Sequence, residues 1–425
     1  MSLLIKGGRV IDPANDTDGV FDLLVDNGVV ARLGKDLVFP GVPVFDAQGK
    51  WVAPGLIDVH VHLREPGQAL KETIKTGTRA AARGGFTSVM TMPNTDPVID
   101  TPVVVEYIRL KSQEEASVRV YVAASVTRGG AGEFLSDAAA LKAAGASALS
   151  DDPFTVMDAE VMRRGMEYAR TYDLPITTHC EDKRMVVDGV MHEGEVSTRL
   201  GVKGLPAVAE DIITSRNILL AEMAGCHVHL AHVSTAGAVE MVRAAKRRGV
   251  RVTAEVTPHH LTLDHHAVEG YRSNAKMNPP LRTDRDIKAV REGIQDGTID
   301  CIATDHAPHT HAEKEEGTWL EAPFGIVGLE TSVGVVMTAL VHTGYLTPRK
   351  MVEAMSTAPA QLFRFPGGKL SLGAVADITI IDPEREWTVD PSQFASKGRN
   401  TPYGGAKFKG HVAMTMVGGK IVYEG

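Results

Sequence analysis

Cysteine is scarce in this 425-residue chain, with only Cys180, Cys226 and Cys301 present. They lie far apart, show no CxxC spacing and cannot all pair, so a reduced, cytoplasmic compartment is the expectation. No uninterrupted apolar run reaches the roughly 18 residues of a membrane span. The start of the chain carries Lys6 and Arg9 and lacks the apolar core of a signal peptide. Positive charge is not in excess either. A net charge of −8 disfavours nucleic acid or an anionic membrane as partner. It leaves room for an anionic small molecule, because a site can be locally basic. There is no short internal repeat and no low-complexity segment. What remains, 43% hydrophobic and 23% charged residues, is the composition of a soluble globular protein.

A chain of 425 residues is too long for one ordinary compact core. An α/β barrel with a small attached domain fits the length. Three zones separate: residues 1–54, 55–365 and 366–425. The first reads as short strands, with a turn at Gly7-Gly8 and a hairpin at Asn27-Gly28. The last has a strand at 377–381 and a hairpin at Gly418-Gly419. Two β-rich ends around a different middle predict one small β domain, a sandwich built from both termini.

The middle alternates strand and helix. Strand-like runs fall at 56–62, 87–92, 119–124, 146–150, 175–179, 228–232, 250–256 and 300–304. Helix-like runs between them include 70–83, 133–144, 161–172, 212–223 and 236–248. Gly84, Gly145, Gly225 and Gly249 follow four of these, where helix C-caps are expected. Eight alternations are what a (β/α)8 barrel of the TIM type requires, with its chemistry at the C-terminal strand ends. A doubly wound open sheet is the rival.

His60 and His62 close the first of these strands. Residues i and i+2 share a face, so both imidazoles can reach one metal from one rigid element. His179 ends the fifth strand, His232 the sixth, and Asp305 follows the eighth. Asp151 and Asp152 follow the fourth. Imidazole and carboxylate suit zinc. The count exceeds what a single catalytic zinc needs, and two metals about 3.5–4 Å apart with a bridging carboxylate and hydroxide would use it. On the sixth strand His227 and His229 share the face opposite His232 and are read as structural. His259 and His260 follow the seventh strand, where packing beside the site and a direct role both fit, and Glu65, Glu181 and Asp182 read as supporting or solvated carboxylates. Spacing alone does not separate Asp151 from Asp152.

The strings DVHVHLREPG at 58–67, MPNT at 92–95, HVST at 232–235, NPPLR at 278–282 and TDHAPH at 304–309 resemble the dihydroorotase family in its longer bacterial type I form. The resemblance runs through nearly the whole chain. It implies a metal-dependent barrel plus a β domain, and hydrolysis of L-dihydroorotate to N-carbamoyl-L-aspartate by a zinc-bridging hydroxide. Two Zn2+ ions would be held by His60, His62, Asp152, His179, His232 and Asp305. The resemblance selects Asp152 as the bridge and Asp305 as proton shuttle. Arg64, Asn94 and His309 would bind the substrate carboxylate, with His62 also at the substrate. Asn278 and the backbone of Phe324 and Gly325 would meet the amide edge of the ring. A guanidinium two residues beyond His62 is well matched to a planar carboxylate.

Dihydropyrimidinase, hydantoinase and allantoinase are the enzyme rivals. Those families bridge their metals with a carboxylated lysine on the fourth strand, and residues 146–152 contain no Lys. A non-catalytic scaffold subunit need not keep the ligand set. A homo-oligomer, and a complex with aspartate transcarbamoylase, are the partner expectations. Residues 310–323, acidic and poor in apolar periodicity, are expected to form a mobile lid.

Overall fold

The computed structural model describes residues 2–425. Eight parallel strands form the central sheet: Leu56–Val61, Phe86–Thr91, Arg119–Ser125, Ala148–Ser150, Ile176–Thr178, Val228–Leu230, Val252–Val256 and Cys301–Ile302. They lie in sequence order. The ring closes where Val61 bridges His306 and the His62 N–H donates to the His306 carbonyl at 2.9 Å. This is the expected barrel, and the open-sheet rival fails on that closure.

Helices pack outside. Their apolar faces and the outward residues of the strands make the main core, which includes Leu56, Phe86, Ile176 and Val228. Each such buried side chain contributes roughly 1.5–3 kcal/mol. A second apolar cluster joins Ile57, Val59, Met90 and Ala148 to Phe363 and Phe365.

Local chemistry set the helix ends more tightly than periodicity predicts. The first helix begins at Ile74 and not at residue 70, because Thr73 caps it and forms a capping box with Thr76. The third begins at Ala138 because Asp137 accepts the Ala140 N–H. Gly145 and Gly225 take the left-handed C-cap conformation, as expected. Gly84 does not; its φ is −78° and the turn falls to Gly85, at φ +89°.

The termini build one continuous sheet in the order Lys420–Glu424, Lys407–Val417, Ile378–Thr388, Trp51–Pro54, Leu3–Asp12, Thr17–Asp26, Val29–Gly34. It curls round a core of its own, with Ile5, Val10, Leu23, Val52, Ile378 and Met414. Both expected hairpins are present. The turn expected at Gly7-Gly8 is instead a bulge inside the first strand, where the register shifts between Ile5 and Gly8. Gly7 supplies φ +70°, and a Cβ on Gly8 would meet Val52 at 2.5 Å. Between its last strands the chain leaves the sheet, and Asn400 reaches the barrel rim beside His309.

Candidate active site

The C-terminal strand ends bring all six nominated metal residues together. Oδ1 of Asp152 lies 3.6 Å from Nε2 of His60, 3.4 Å from Nδ1 of His179 and 3.3 Å from Nε2 of His232. Its Oδ2 lies 3.7 Å from Nε2 of His62. Asp305 Oδ1 is 3.0 Å from His62 Nε2 and 3.6 Å from His60 Nε2. Asp152 therefore belongs to two groups of converging donors, one with His60 and His62 and one with His179 and His232.

All six residues are buried. Burial alone would raise the carboxyl of Asp152, yet the imidazoles of His60, His179 and His232 hold it well below the usual range. Asp305 is likewise held low by His60 and His62 against its burial. Nε2 of His60 and Oδ2 of Asp152 are buried without a hydrogen-bond partner. Buried polar atoms are normally satisfied. Orphaned imidazole nitrogen and carboxylate oxygen converging on shared points fit a metal cofactor.

The outer nitrogens of three rings are fixed. His62 Nδ1–H donates to Asn94 Oδ1 at 2.8 Å, His179 Nε2–H to Glu181 Oε2 at 3.3 Å, and His60 Nδ1–H to Glu255 Oε1 at 2.5 Å. Such contacts turn the opposite nitrogen's lone pair to the metal position. Arg64, His232 and Asp305 adopt φ of +62°, +32° and +46°. Positive φ is costly for side-chain-bearing residues, about 1–3 kcal/mol each, and clusters at functional sites.

One cavity of about 330 Å³ is lined by His62, Arg64, Asn94, Asp152, His179, Asn278, Asp305, His309, Phe324 and Gly325. Every nominated substrate contact is in that wall. Arg64 is buried, donates to the Pro308 carbonyl at 3.2 Å and stands 3.4 Å from His309 Nε2. Burial lowers its guanidinium to about 10, which leaves it charged at neutral pH. No carboxylate pairs with it among the described residues. Burial and the charge of Arg64 push His309 down to about 2, so this ring is neutral. Its Nε2–H donates to the Phe324 carbonyl at 2.9 Å. Asn278 donates to Glu181 Oε2 at 2.6 Å, leaving its carboxamide oxygen for a ligand.

The Gly325 backbone is already engaged. Its N–H donates to Lys276, and its carbonyl accepts from Lys314 and Asn400. With the Phe324 carbonyl on His309, the backbone group left for a ring amide is the Phe324 N–H. Gly325 is needed for close approach, since a Cβ there would sit 2.6 Å from the Ala307 carbonyl.

Residues 310–323 are fastened to the barrel. The buried Lys314 ammonium donates to the carbonyls of Pro323 and Gly325 at 2.9 and 3.0 Å. Lys276 donates to Trp319 and Leu320, both at 2.9 Å.

Three supporting residues, Glu255, His229 and Asn400, escaped the sequence reading or were underrated by it. Glu255, the one charged residue of the strand Val252–Val256, holds His60; a lone buried charge in such a run was the available signal. His229, read as structural, hydrogen-bonds Glu255 at 3.0 Å. Asn400 accepts the His309 N–H at 3.1 Å and has no local signal at all. His260 is satisfied by Thr257 and Pro279, whereas His259 leaves Nε2 unpartnered. His227 lies apart, lining a different cavity with Tyr121 and Arg251.

Among solved structures, an L-hydantoinase from Arthrobacter aurescens superposes with a TM-score of 0.90 at 26% identity, over 99% of this chain and 96% of its own. A D-hydantoinase from Thermus sp. gives 0.84 at 27% identity, covering 99% and 94%. Together with the buried His and Asp groups at the strand ends, this defines a metal-dependent cyclic amide hydrolase. The sequence narrows the class. A family model described as Dihydro-orotase-like matches residues 49–238. A dihydroorotase from Pelotomaculum thermopropionicum is 55% identical over 424 residues, 100% of this chain and 99% of that one. A dihydroorotase from Anaeromyxobacter dehalogenans is 51% identical over 425 residues, covering 99% and 98%. The chain belongs to the dihydroorotase family.

Proposed function

We propose that this protein interconverts L-dihydroorotate and N-carbamoyl-L-aspartate, the third step of de novo pyrimidine synthesis, using two zinc ions. The observation that carries the reading is the buried, unpaired guanidinium of Arg64 in the same cavity wall as Asp305 and His62. Asp305 and Asp152 act on that charge only from beyond ion-pair distance, so a neutral cyclic amide would leave it without a paired anion, whereas the ring carboxylate of dihydroorotate would pair with it.

His60, His62, Asp152 and Asp305 would hold one ion, and Asp152, His179 and His232 the other. When bound, zinc supplies Lewis acidity toward the amide carbonyl and a nucleophile from water at neutral pH. The chain's own residues do the rest. Arg64 and Asn94 orient the substrate by its carboxylate, beside the neutral His309. Asn278 and the Phe324 N–H face the amide edge. Asp305, kept ionised by His60 and His62, takes the proton of the attacking water and delivers it to the leaving ring nitrogen. In ring closure the carbamoyl nitrogen attacks the side-chain carboxyl carbon, and the same carboxylate takes that nitrogen's proton and hands it to the departing hydroxide, which leaves as water. Asp152, just past the fourth strand, would take the role that a carboxylated lysine has in the rival families.

A cytoplasmic enzyme belongs to this reading, supported by three free, buried cysteines. So does a homo-oligomer, alone or with aspartate transcarbamoylase; sedimentation with and without that enzyme measures both. The function is tested by assaying zinc-loaded enzyme in both directions, before and after chelation. Turnover in both, lost with the metal and restored by zinc, is expected. Metal-loaded protein inactive on both compounds would overturn the reading.

A further inference from the structure

One carboxylate beneath the candidate metal centre touches both groups of ligands. Glu255 Oε1 accepts from His60 Nδ1 at 2.5 Å and from the His232 backbone N–H at 3.2 Å. Its Oε2 accepts from His229 Nε2 at 3.0 Å. The proton count then fixes the next links. With the His229 ring donating from Nε2 alone, its Nδ1 accepts from the Thr253 hydroxyl at 2.8 Å, and that oxygen accepts from His227 Nε2–H, also at 2.8 Å. His60, His229 and Glu255 are wholly buried. His229 is wedged edge-on against Phe363, with ring centroids 5.1 Å apart.

We infer that Glu255 is the positioning residue of the metal centre and that His229 acts through it. The inference rests on the reading of His60 as a metal ligand. Held by a carboxylate, His60 keeps its proton on Nδ1 and turns a more basic Nε2 toward Asp152 and Asp305. The same oxygen pins the backbone of His232, which sits at φ +32° and would relax without it. Glu255 thus sets one ligand from each group, and His229, clamped by Thr253 and Phe363, sets Glu255. A carboxylate is required because a carboxamide in its place must turn a donor toward either His60 or His229.

The test is zinc binding to chelator-stripped full-length protein, followed by calorimetry, so the readout is independent of turnover. Glu255→Gln should weaken zinc binding by about 10–100-fold and lower kcat with KM for dihydroorotate little changed. His229→Gln should shift both in the same direction by less. The double variant should be no weaker than Glu255→Gln alone, since the two act as one unit. Thermal unfolding of the stripped proteins reports on the fold; if Glu255→Gln fails to fold, the zinc affinity of His229→Gln decides. Wild-type zinc affinity in the readable variant, or additive losses in the double variant, would overturn the inference. His60→Ala separates the two readings. If it still binds two ions, His60 is not a ligand; if it loses an ion while Glu255→Gln matches wild type, only the positioning role fails.

Discussion

Asp151 and Asp152, neighbours in the chain just past the fourth barrel strand, send their carboxylates to different partners. Asp152 Oδ1 lies 3.3 Å from His232 Nε2, while Asp151 accepts the backbone N–H groups of His179 and Val156, both at 2.9 Å. Both residues lie just past the strand Ala148–Ser150, and it is these contacts that divide their roles. Asp152→Asn is expected to abolish the two-metal centre. Asp151→Asn should keep both metals and lower thermal stability, because it weakens two buried hydrogen bonds worth about 1–3 kcal/mol each. Metal content and melting temperature of the two variants check this. Full reactivation of stripped enzyme by zinc in carbon-dioxide-free buffer is also expected, since residues 146–152 carry no lysine to be carboxylated.

The six-residue ligand set predicts two metals per chain under replete conditions. His60→Ala and His232→Ala each remove one donor from a buried group and should lose metal and nearly all turnover. Elemental analysis beside the assay measures it. Full activity with a single tightly bound ion would contradict the binuclear reading.

The strand-end histidines and Asp305 were legible from strand periodicity, while the choice of Asp152 over Asp151 came from the family resemblance. His60 and His62 share a face, and His232 is the histidine nearest the C-terminal end of its strand. Glu255 was not legible. Its function depends on which strands are neighbours across the barrel, and the pairing of Glu255 with His60 spans 195 positions. Asn400 is hidden for the same reason, arriving from the far end of the chain. The helix starts at Ile74 and Ala138 depended on caps at Thr73 and Asp137, which override an apolar pattern beginning earlier. The bulge at Gly7 reads as a turn because two glycines signal either.

The fastened loop at 310–323 yields a prediction about its movement. Lys314 anchors it through carbonyls of Pro323 and Gly325, and Gly325 borders the substrate cavity. Hydrogen exchange in this segment should slow when a substrate analogue saturates the site. Lys314→Met should speed it and raise KM more than it lowers kcat. Protection unchanged by either would show that the loop does not respond to the site.

Arg64→Met should cut kcat/KM for dihydroorotate by roughly 2–4 kcal/mol of transition-state binding, the worth of a charge-assisted contact in a dry site. The same variant should lose far less on uncharged cyclic amides. An equal fall on both would make Arg64 a structural residue held by Pro308.

The central claim is that this metal centre serves an acidic ring. Dihydrouracil is the dihydroorotate ring without its carboxylate, so comparing kcat/KM for the two on zinc-loaded wild-type enzyme isolates that group. The buried, unpaired Arg64 predicts a preference for dihydroorotate of about 30-fold to 1,000-fold, the ratio that 2–4 kcal/mol represents. Equal rates, or faster turnover of dihydrouracil, would contradict the account.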